Sequence, residues 1–133
     1  MNDAENRPIH PPAYWRAQAC VHIGPEGCWN ASDIAAQLAL FPGWLVVSGD
    51  QGDTGGGTTH RLRKRCAFAD FNALEPVIIR LLAIARLQDH HPDVSFGYRD
   101  LTVSWNTHSA GGISNNDWIC AALLDEAIET VKS

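Results

Sequence analysis

Residues 101–108 alternate strictly between two kinds of side chain. One side carries Leu101, Val103, Trp105 and Thr107, and the other carries Thr102, Ser104, Asn106 and His108. A period of two is typical of a β-strand with one buried face. Val94, Phe96 and Tyr98 alternate just before it, and Arg99-Asp100 leaves room only for a tight turn between the two stretches. The pattern therefore predicts an antiparallel hairpin.

A second hairpin is predicted upstream. Its strands are residues 44–47 and 59–68, joined by the glycine-rich residues 49–57. In the second of these strands, Leu62, Cys66 and Phe68 share one side, and Arg61, Arg63 and Arg65 share the other. We interpret the arginine side as a solvated sheet face. A contact surface for a partner or an anionic ligand is the alternative.

Helical periods separate and flank the two hairpins. Ser32 is a suitable N-cap for a short helix, Asp70 or Asn72 for one running to about Leu87, and Ser114 for a last one. The middle helix has an apolar stripe of Leu74, Ile78, Leu81, Leu82 and Ala85. The order α-β-β-α-β-β-α predicts an α+β fold, with a four-stranded antiparallel sheet covered on one face by helices.

Residues 1–30 have no period, because Pro8, Pro11, Pro12 and Pro25 interrupt them. We expect an irregular N-terminal arm there and a folded domain at residues 31–133. Trp15 and Trp29 are expected to pin the arm onto the domain, since a large aromatic side chain rarely stays in water.

Bulk properties limit the functional classes. A chain of 133 residues suits one hydrophobic core, and a net charge of −5 argues against a nucleic-acid partner. No apolar run approaches the ~20 residues that span a membrane, so no membrane association is predicted. The polar N-terminus lacks the apolar region of an export signal. The chain is therefore predicted to be cytoplasmic, with its cysteines reduced.

Three of the six histidines lie in one stretch of the chain that ends near Asp117. They are His90, His91 and His108. If the last two strands pair, these imidazoles meet at one end of the sheet. Asp117 can accept a hydrogen bond from an imidazole there and fix its tautomer. Because histidine both donates and accepts protons near neutral pH, the cluster indicates acid/base catalysis. The alternative is that each histidine ends a helix or lies in solvent.

A zinc site is the competing interpretation of the same residues. Adjacent histidines such as His90 and His91 usually point apart, and no helical His-x-x-x-His spacing is present. Cys20, His22 and Cys28 do not have the spacing of a zinc finger either, and ordinary thiols are expected. We predict no metal site from these residues.

Several motifs together resemble the pterin-4a-carbinolamine dehydratase family. They are Asp89-His90-His91-Pro92, Tyr98, Thr107-His108, Gly112-Ile113-Ser114 and Asp117, with Gly43-Trp44 and Phe68-Ala69-Asp70-Phe71 upstream. The resemblance spans about residues 32–131. It implies a hydro-lyase that converts 4a-hydroxytetrahydrobiopterin to quinonoid dihydrobiopterin and water, in recycling of the pterin cofactor. It also implies a homodimer or homotetramer that uses no metal and no organic cofactor of its own.

The resemblance also implies roles for particular residues. His90 and His108 are the expected acid/base pair, and Asp117 orients a histidine. The pterin is expected to contact His91, Trp44, Thr107 and Ser109. The family often has an acidic residue four positions before the first histidine, where this chain has Arg86.

A second function is open because the family includes members that bind proteins. Some are dimerisation cofactors of a transcription factor, and catalytically silent relatives assist RuBisCO assembly. The arm, with its two tryptophans, is the feature that favours a protein partner for this chain. The retained histidines and Asp117 favour the enzyme.

Overall fold

The computed structural model describes residues 7–49 and 59–132. The elements in chain order are α1 (Pro12–Arg16), α2 (Ala31–Leu38), β1 (Trp44–Gly49), β2 (Thr59–Ala67), α3 (Phe71–Gln88), β3 (Asp93–Phe96), β4 (Asp100–Trp105) and α4 (Asn115–Lys132). Short 3-10 turns lie at Pro25–Gly27 and His108–Ala110. The predicted glycine-rich loop lies almost entirely outside the described residues.

The four strands form one antiparallel sheet in the order β1-β2-β4-β3. The predicted α+β fold is therefore confirmed. Leu62 pairs with Trp105, and Cys66 pairs with Leu101, so their side chains share the sheet face that α3 and α4 cover. Leu62, Leu101 and Trp105 have no exposed surface. Period-two alternation thus located the core side of the sheet.

The helices begin close to the predicted positions, with two differences in detail. Asn30 caps α2 in place of Ser32, because its Oδ1 accepts the Asp33 backbone N–H at 2.8 Å. Asp70 caps α3 as expected. On α3, Leu82 is 62% exposed while Val77 is buried, so the stripe is rotated slightly from the predicted one. No helix in the described ranges is long and apolar enough to span a bilayer.

One arginine of the predicted solvated sheet face is buried, whereas Arg65 on the same face is exposed. Arg61 is 4% exposed, and its Nη1 lies 2.6 Å from Asp93 Oδ2 on the far strand β3. Arg63 donates to the Ser104 hydroxyl, and Arg65 pairs with Asp100. Arg63 and Arg65 thus link β2 to its neighbour β4, and Arg61 reaches across β4 to β3.

The arm packs on the domain through its tryptophans. Trp15 and Trp29 are 3% and 4% exposed, and Trp29 lies 5.4 Å from Trp118 of α4, centroid to centroid. The fully buried Gln37 of α2 accepts hydrogen bonds from Trp15 Nε1 and from the His10 backbone. The arm also contains a five-residue helix, α1, where the sequence indicated none. The domain boundary at residue 30 stays a prediction.

Candidate active site

The end of α3 places His90. Asp89 adopts a left-handed conformation, with φ 52° and ψ 44°, which ends the helix and turns the chain. The backbone N–H of His90 still donates to the Ala85 carbonyl at 3.2 Å. The imidazole consequently lies against β4, where it stacks on Trp105 with ring centroids 5.6 Å apart.

The beginning of α4 places Asp117, which is completely buried. Its Oδ2 accepts the Ser114 backbone N–H at 2.8 Å, while Ser114 Oγ accepts the Asn116 N–H at 3.1 Å. Both side chains thus cap the first turn of α4, in a variant of the capping box in which the Ser114 hydroxyl accepts from the second helical residue and not the third. Thr107 also donates its hydroxyl to Asp117 Oδ2 at 2.8 Å. A buried carboxylate with several donors is held in one orientation.

These contacts fix the hydrogens around Asp117. Because Thr107 donates to Asp117, the 2.7 Å contact between Thr107 Oγ1 and Ser114 Oγ must have Ser114 as its donor. We call His90, Thr107, Ser114 and Asp117 the buried cluster. Ser114 was predicted only as a cap, but its hydroxyl also orders Thr107.

His90 and Asp117 form the central pair of the site. His90 Nε2 lies 2.7 Å from Asp117 Oδ1. Burial alone would lower the pKa of His90, but the hydrogen bond and negative charge of Asp117 outweigh it and raise that pKa above its usual value. A carboxylate accepts only, so the hydrogen lies on Nε2 and Nδ1 is the ring atom that can exchange a proton with a ligand.

An open pocket of about 460 Å³ lies beside this pair. Five predicted site residues line it: His90, His91, Thr107, His108 and Ser109. Asp117 lies behind His90, away from solvent. His91 and His108 are exposed, and His108 begins the 3-10 turn that follows β4. The pocket volume is in the range of small-molecule sites.

Trp44 is not brought to this pocket within the chain. Trp44 begins β1, the edge strand on the other side of the sheet from β3. Its register partner on β2 is Lys64, and Lys64 pairs in turn with Val103 in the middle of β4, away from the end of β4 where the pocket lies. Its Nε1 donates to the Asp125 carboxylate at 3.0 and 3.1 Å. Trp44 and Asp125 thus join β1 to α4, at a distance in the fold from His90.

Sequence reasoning missed several residues that line the pocket. They are Cys20, Val21, His22 and Ile23 from the arm, Gln88 and Asp89 from the end of α3, and Asn106 and Asn116. The alternating pattern had placed Asn106 on the polar sheet face, which could have suggested it. Its Nδ2 is buried and unpaired in the part of the chain that the structure describes. Of the arm residues, the sequence had singled out Cys20 and His22, but only as metal ligands that their spacing argued against.

Cys20, which lines the pocket, contacts the buried Cys120 of α4. Cys20 Sγ lies 3.7 Å from Cys120 Sγ, and both thiols are free. The hydrogen bond from Cys120 lowers the pKa of Cys20, and the same contact, together with burial, raises that of Cys120. Over residues 7–49 and 59–132, no three His, Cys, Asp or Glu side chains are grouped to hold a metal ion.

Comparison with known proteins identifies relatives. The family model for pterin 4 alpha carbinolamine dehydratase matches residues 29–127. The chain is 35% identical over 98 residues to a "Putative pterin-4-alpha-carbinolamine dehydratase" of Paracoccus denitrificans, covering 74% of this chain and 83% of the relative. It is 36% identical over 107 residues to the protein of the same name in Stenotrophomonas maltophilia, covering 80% and 84%.

A solved structure has the same fold. It is a transcriptional coactivator/pterin dehydratase from Brucella melitensis, with a TM-score of 0.65 and 22% identity, and the match covers 76% of this chain and 98% of that one. At this identity the likeness concerns the fold. The family match begins at residue 29, so most of the arm lies outside it.

Proposed function

The chain belongs to the pterin 4 alpha carbinolamine dehydratase family, and on that premise we propose that it dehydrates 4a-hydroxytetrahydrobiopterin to quinonoid dihydrobiopterin and water. The observation that carries the proposal is the His90–Asp117 hydrogen bond beside a pocket that also holds His91 and His108. Such a group of imidazoles supplies both an acid and a base near neutral pH.

The raised pKa of His90 suits it to be the acid. Protonated His90 donates to the 4a-hydroxyl, the C4a–O bond breaks, and water leaves. His108, exposed at the pocket rim, is the proposed base that takes the ring N–H proton, so that the C=N bond of the quinonoid product forms. Asp117 stabilises the imidazolium form of His90 and fixes which nitrogen faces the pterin.

The remaining pocket residues are proposed to bind and position the substrate. His91 lines the pocket and contacts the pterin, and the unpaired Nδ2 of Asn106 can donate to an acceptor on the pterin ring. Thr107 acts through Asp117, because its hydroxyl hydrogen is already donated to that carboxylate. Ser109 donates its hydroxyl to the Ile23 carbonyl, so its part is to hold the arm.

A dehydration assay tests this proposal. 4a-Hydroxytetrahydrobiopterin, generated in situ, is mixed with the purified protein, and quinonoid dihydrobiopterin is followed by absorbance. We expect acceleration over the spontaneous rate, and an unchanged rate after EDTA treatment. A folded protein that gives no acceleration contradicts the proposal, and loss of activity with EDTA favours the zinc interpretation.

Self-association is proposed from β3, which is at the edge of the sheet. Val94 and Phe96 pair with Val103 and Leu101 and so continue the apolar face, yet they are 38% and 54% exposed. Within the described residues, this part of the apolar face is therefore not fully covered. A second copy covering β3 would bury these side chains and remove an unpaired edge. Phe96→Lys is expected to shift a homodimer or homotetramer towards monomer in analytical ultracentrifugation.

A catalytically silent assembly or dimerisation partner is the second candidate, and the name of the Brucella melitensis protein is what favours it. The arm was the feature of the sequence that suggested such a partner. Trp15 and Trp29 are buried within the chain, so neither is available as a docking side chain. We propose that the protein works in the cytoplasm on a small-molecule substrate, without nucleic acid and without a metal or organic cofactor.

A further inference from the structure

One side of the pocket is formed by the arm, at residues 20–23, which we call the arm wall. These residues precede the family match, which begins at residue 29. We propose that the arm wall is a substrate-specificity element, in which His22 contacts the polar side chain that the pterin ring carries. The inference rests on the proposed function and adds to it a residue that sequence comparison did not indicate.

The arm wall is fastened at three points. Asn116 makes a reciprocal pair with Val21: the Val21 N–H donates to Asn116 Oδ1 at 3.2 Å, and Asn116 Nδ2 donates to the Val21 carbonyl at 2.7 Å. The Cys20 N–H donates to Gln88 Oε1 at 2.9 Å, and the Ile23 carbonyl accepts from Ser109 at 2.5 Å. All three fastenings use the backbone of the arm.

The fastening residues belong to the segments that carry the proposed catalytic groups. Gln88 ends α3 just before His90, Ser109 follows His108, and Asn116 precedes Asp117. The arm wall therefore has a fixed position relative to both acid/base histidines. Besides these backbone hydrogen bonds, the Cys20 thiol contacts Cys120 Sγ and the Asn116 carbonyl, so Cys20 also anchors the arm wall with its side chain. The hydrogen bonds that hold Val21 use its backbone. Among the described residues, the side chains of Val21 and His22 take no part in these anchoring contacts. Both are exposed and line the pocket.

The chemistry of His22 suits the binding of a polar group. A neutral imidazole offers one donor and one acceptor, which is the complement of a hydroxyl group. With Val21 beside it, the arm wall can accept a short hydroxylated alkyl chain.

Two substrates separate this role from catalysis. 4a-Hydroxytetrahydrobiopterin has a dihydroxypropyl chain, whereas its 6-methyl analogue has only a methyl group. We expect His22→Ala to raise KM for 4a-hydroxytetrahydrobiopterin about five- to tenfold, because one or two hydrogen bonds to the dihydroxypropyl chain are lost. We expect kcat to be nearly unchanged, and KM for the 6-methyl analogue to change little. The matched control is His60→Ala, an exposed histidine on β2. An unchanged KM ratio between the substrates overturns the proposal.

Asn116→Ala tests the fastening. If Asn116 positions the arm wall, this variant raises the same KM, and adding His22→Ala to it changes KM little further. A lower melting temperature with an unchanged KM would show a merely structural contact and contradict the inference.

Direct binding keeps the two proposals distinguishable. Tetrahydrobiopterin is titrated into each protein, and tryptophan fluorescence is followed. If the wild type binds the pterin without turnover, the dehydratase proposal fails, and weaker binding by His22→Ala still supports the arm wall. If the wild type binds no pterin, both fail. Equal affinity of wild type and His22→Ala overturns the arm wall alone.

Discussion

The buried cluster and the arm wall lie on the same pocket but are built differently. In the buried cluster, side chains hold side chains: Asp117 accepts from His90 and Thr107 and has no exposed surface. In the arm wall, side chains of the domain form hydrogen bonds with the backbone of residues 20–23, and the Val21 side chain is 65% exposed. We infer that the first region sets the chemistry and the second sets the fit of the substrate.

The largest effect is expected from breaking the buried cluster. Asp117→Ala leaves His90, Thr107 and the Ser114 N–H without their acceptor in a dry site, which should cost about 3–5 kcal/mol of unfolding free energy. Urea denaturation measures this loss. Asp117→Asn keeps one acceptor oxygen and should cost less. A change below about 1 kcal/mol for Asp117→Ala would contradict the network.

A smaller loss is expected from the far end of the arm. Gln37→Ala removes the buried amide that accepts from Trp15 and from the His10 backbone, and should cost about 1–3 kcal/mol. The arm wall has its own anchors at Gln88, Ser109 and Asn116, so KM should be unchanged. Urea denaturation and steady-state kinetics on one preparation check both statements. A raised KM would show that the arm wall depends on the whole arm.

The pH dependence of stability should reverse in sign when Asp117 is neutralised. In the wild type the His90 pKa is raised, so its contribution is complete below the unfolded-state value of about 6.5 and is lost as pH rises through the folded-state pKa. In Asp117→Asn, burial remains and lowers that pKa. The His90 contribution is then present above about pH 6.5 and is lost as pH falls.

Unfolding free energies of each protein, minus those of its His90→Gln derivative, isolate this His90 contribution. The same sign in the wild type and in Asp117→Asn would mean that Asp117 does not control His90.

The smallest effect concerns the turn that delivers His90. Asp89 has a positive φ, a conformation that glycine adopts without strain. Asp89→Gly should therefore leave stability unchanged or raise it by up to about 1 kcal/mol, with the pocket intact. Thermal unfolding checks the stability. A clear loss would show that the Asp89 side chain, and not its backbone, fixes the end of α3.

Periodicity of the sequence explains why the buried cluster could be predicted and the arm wall could not. His90, Thr107 and Asp117 lie next to regular elements, whose ends the alternating and helical patterns indicated within a few residues. Residues 20–23 have no period and no cap, and they are held by Gln88, Ser109 and Asn116, which are distant in sequence. Only the folded chain shows such contacts.

The sequence pattern also could not predict where two charged or aromatic side chains, Arg61 and Trp44, find their partners. Arg61 was predicted to be solvated because it lies on the polar side of an alternating strand. It is instead buried, and its guanidinium pairs with Asp93 on another strand. Trp44 was predicted at the pocket by resemblance alone, and Asp125 holds it elsewhere.

The most direct test of the central claim is the dehydration rate of His108→Ala beside that of wild type and His60→Ala. His108 is exposed at the pocket rim, so its loss should leave stability unchanged. We predict that kcat falls by about 10²–10⁴-fold in His108→Ala and not in His60→Ala. A fully active His108→Ala protein would contradict the assignment of this pocket as the place where the 4a-hydroxyl is lost.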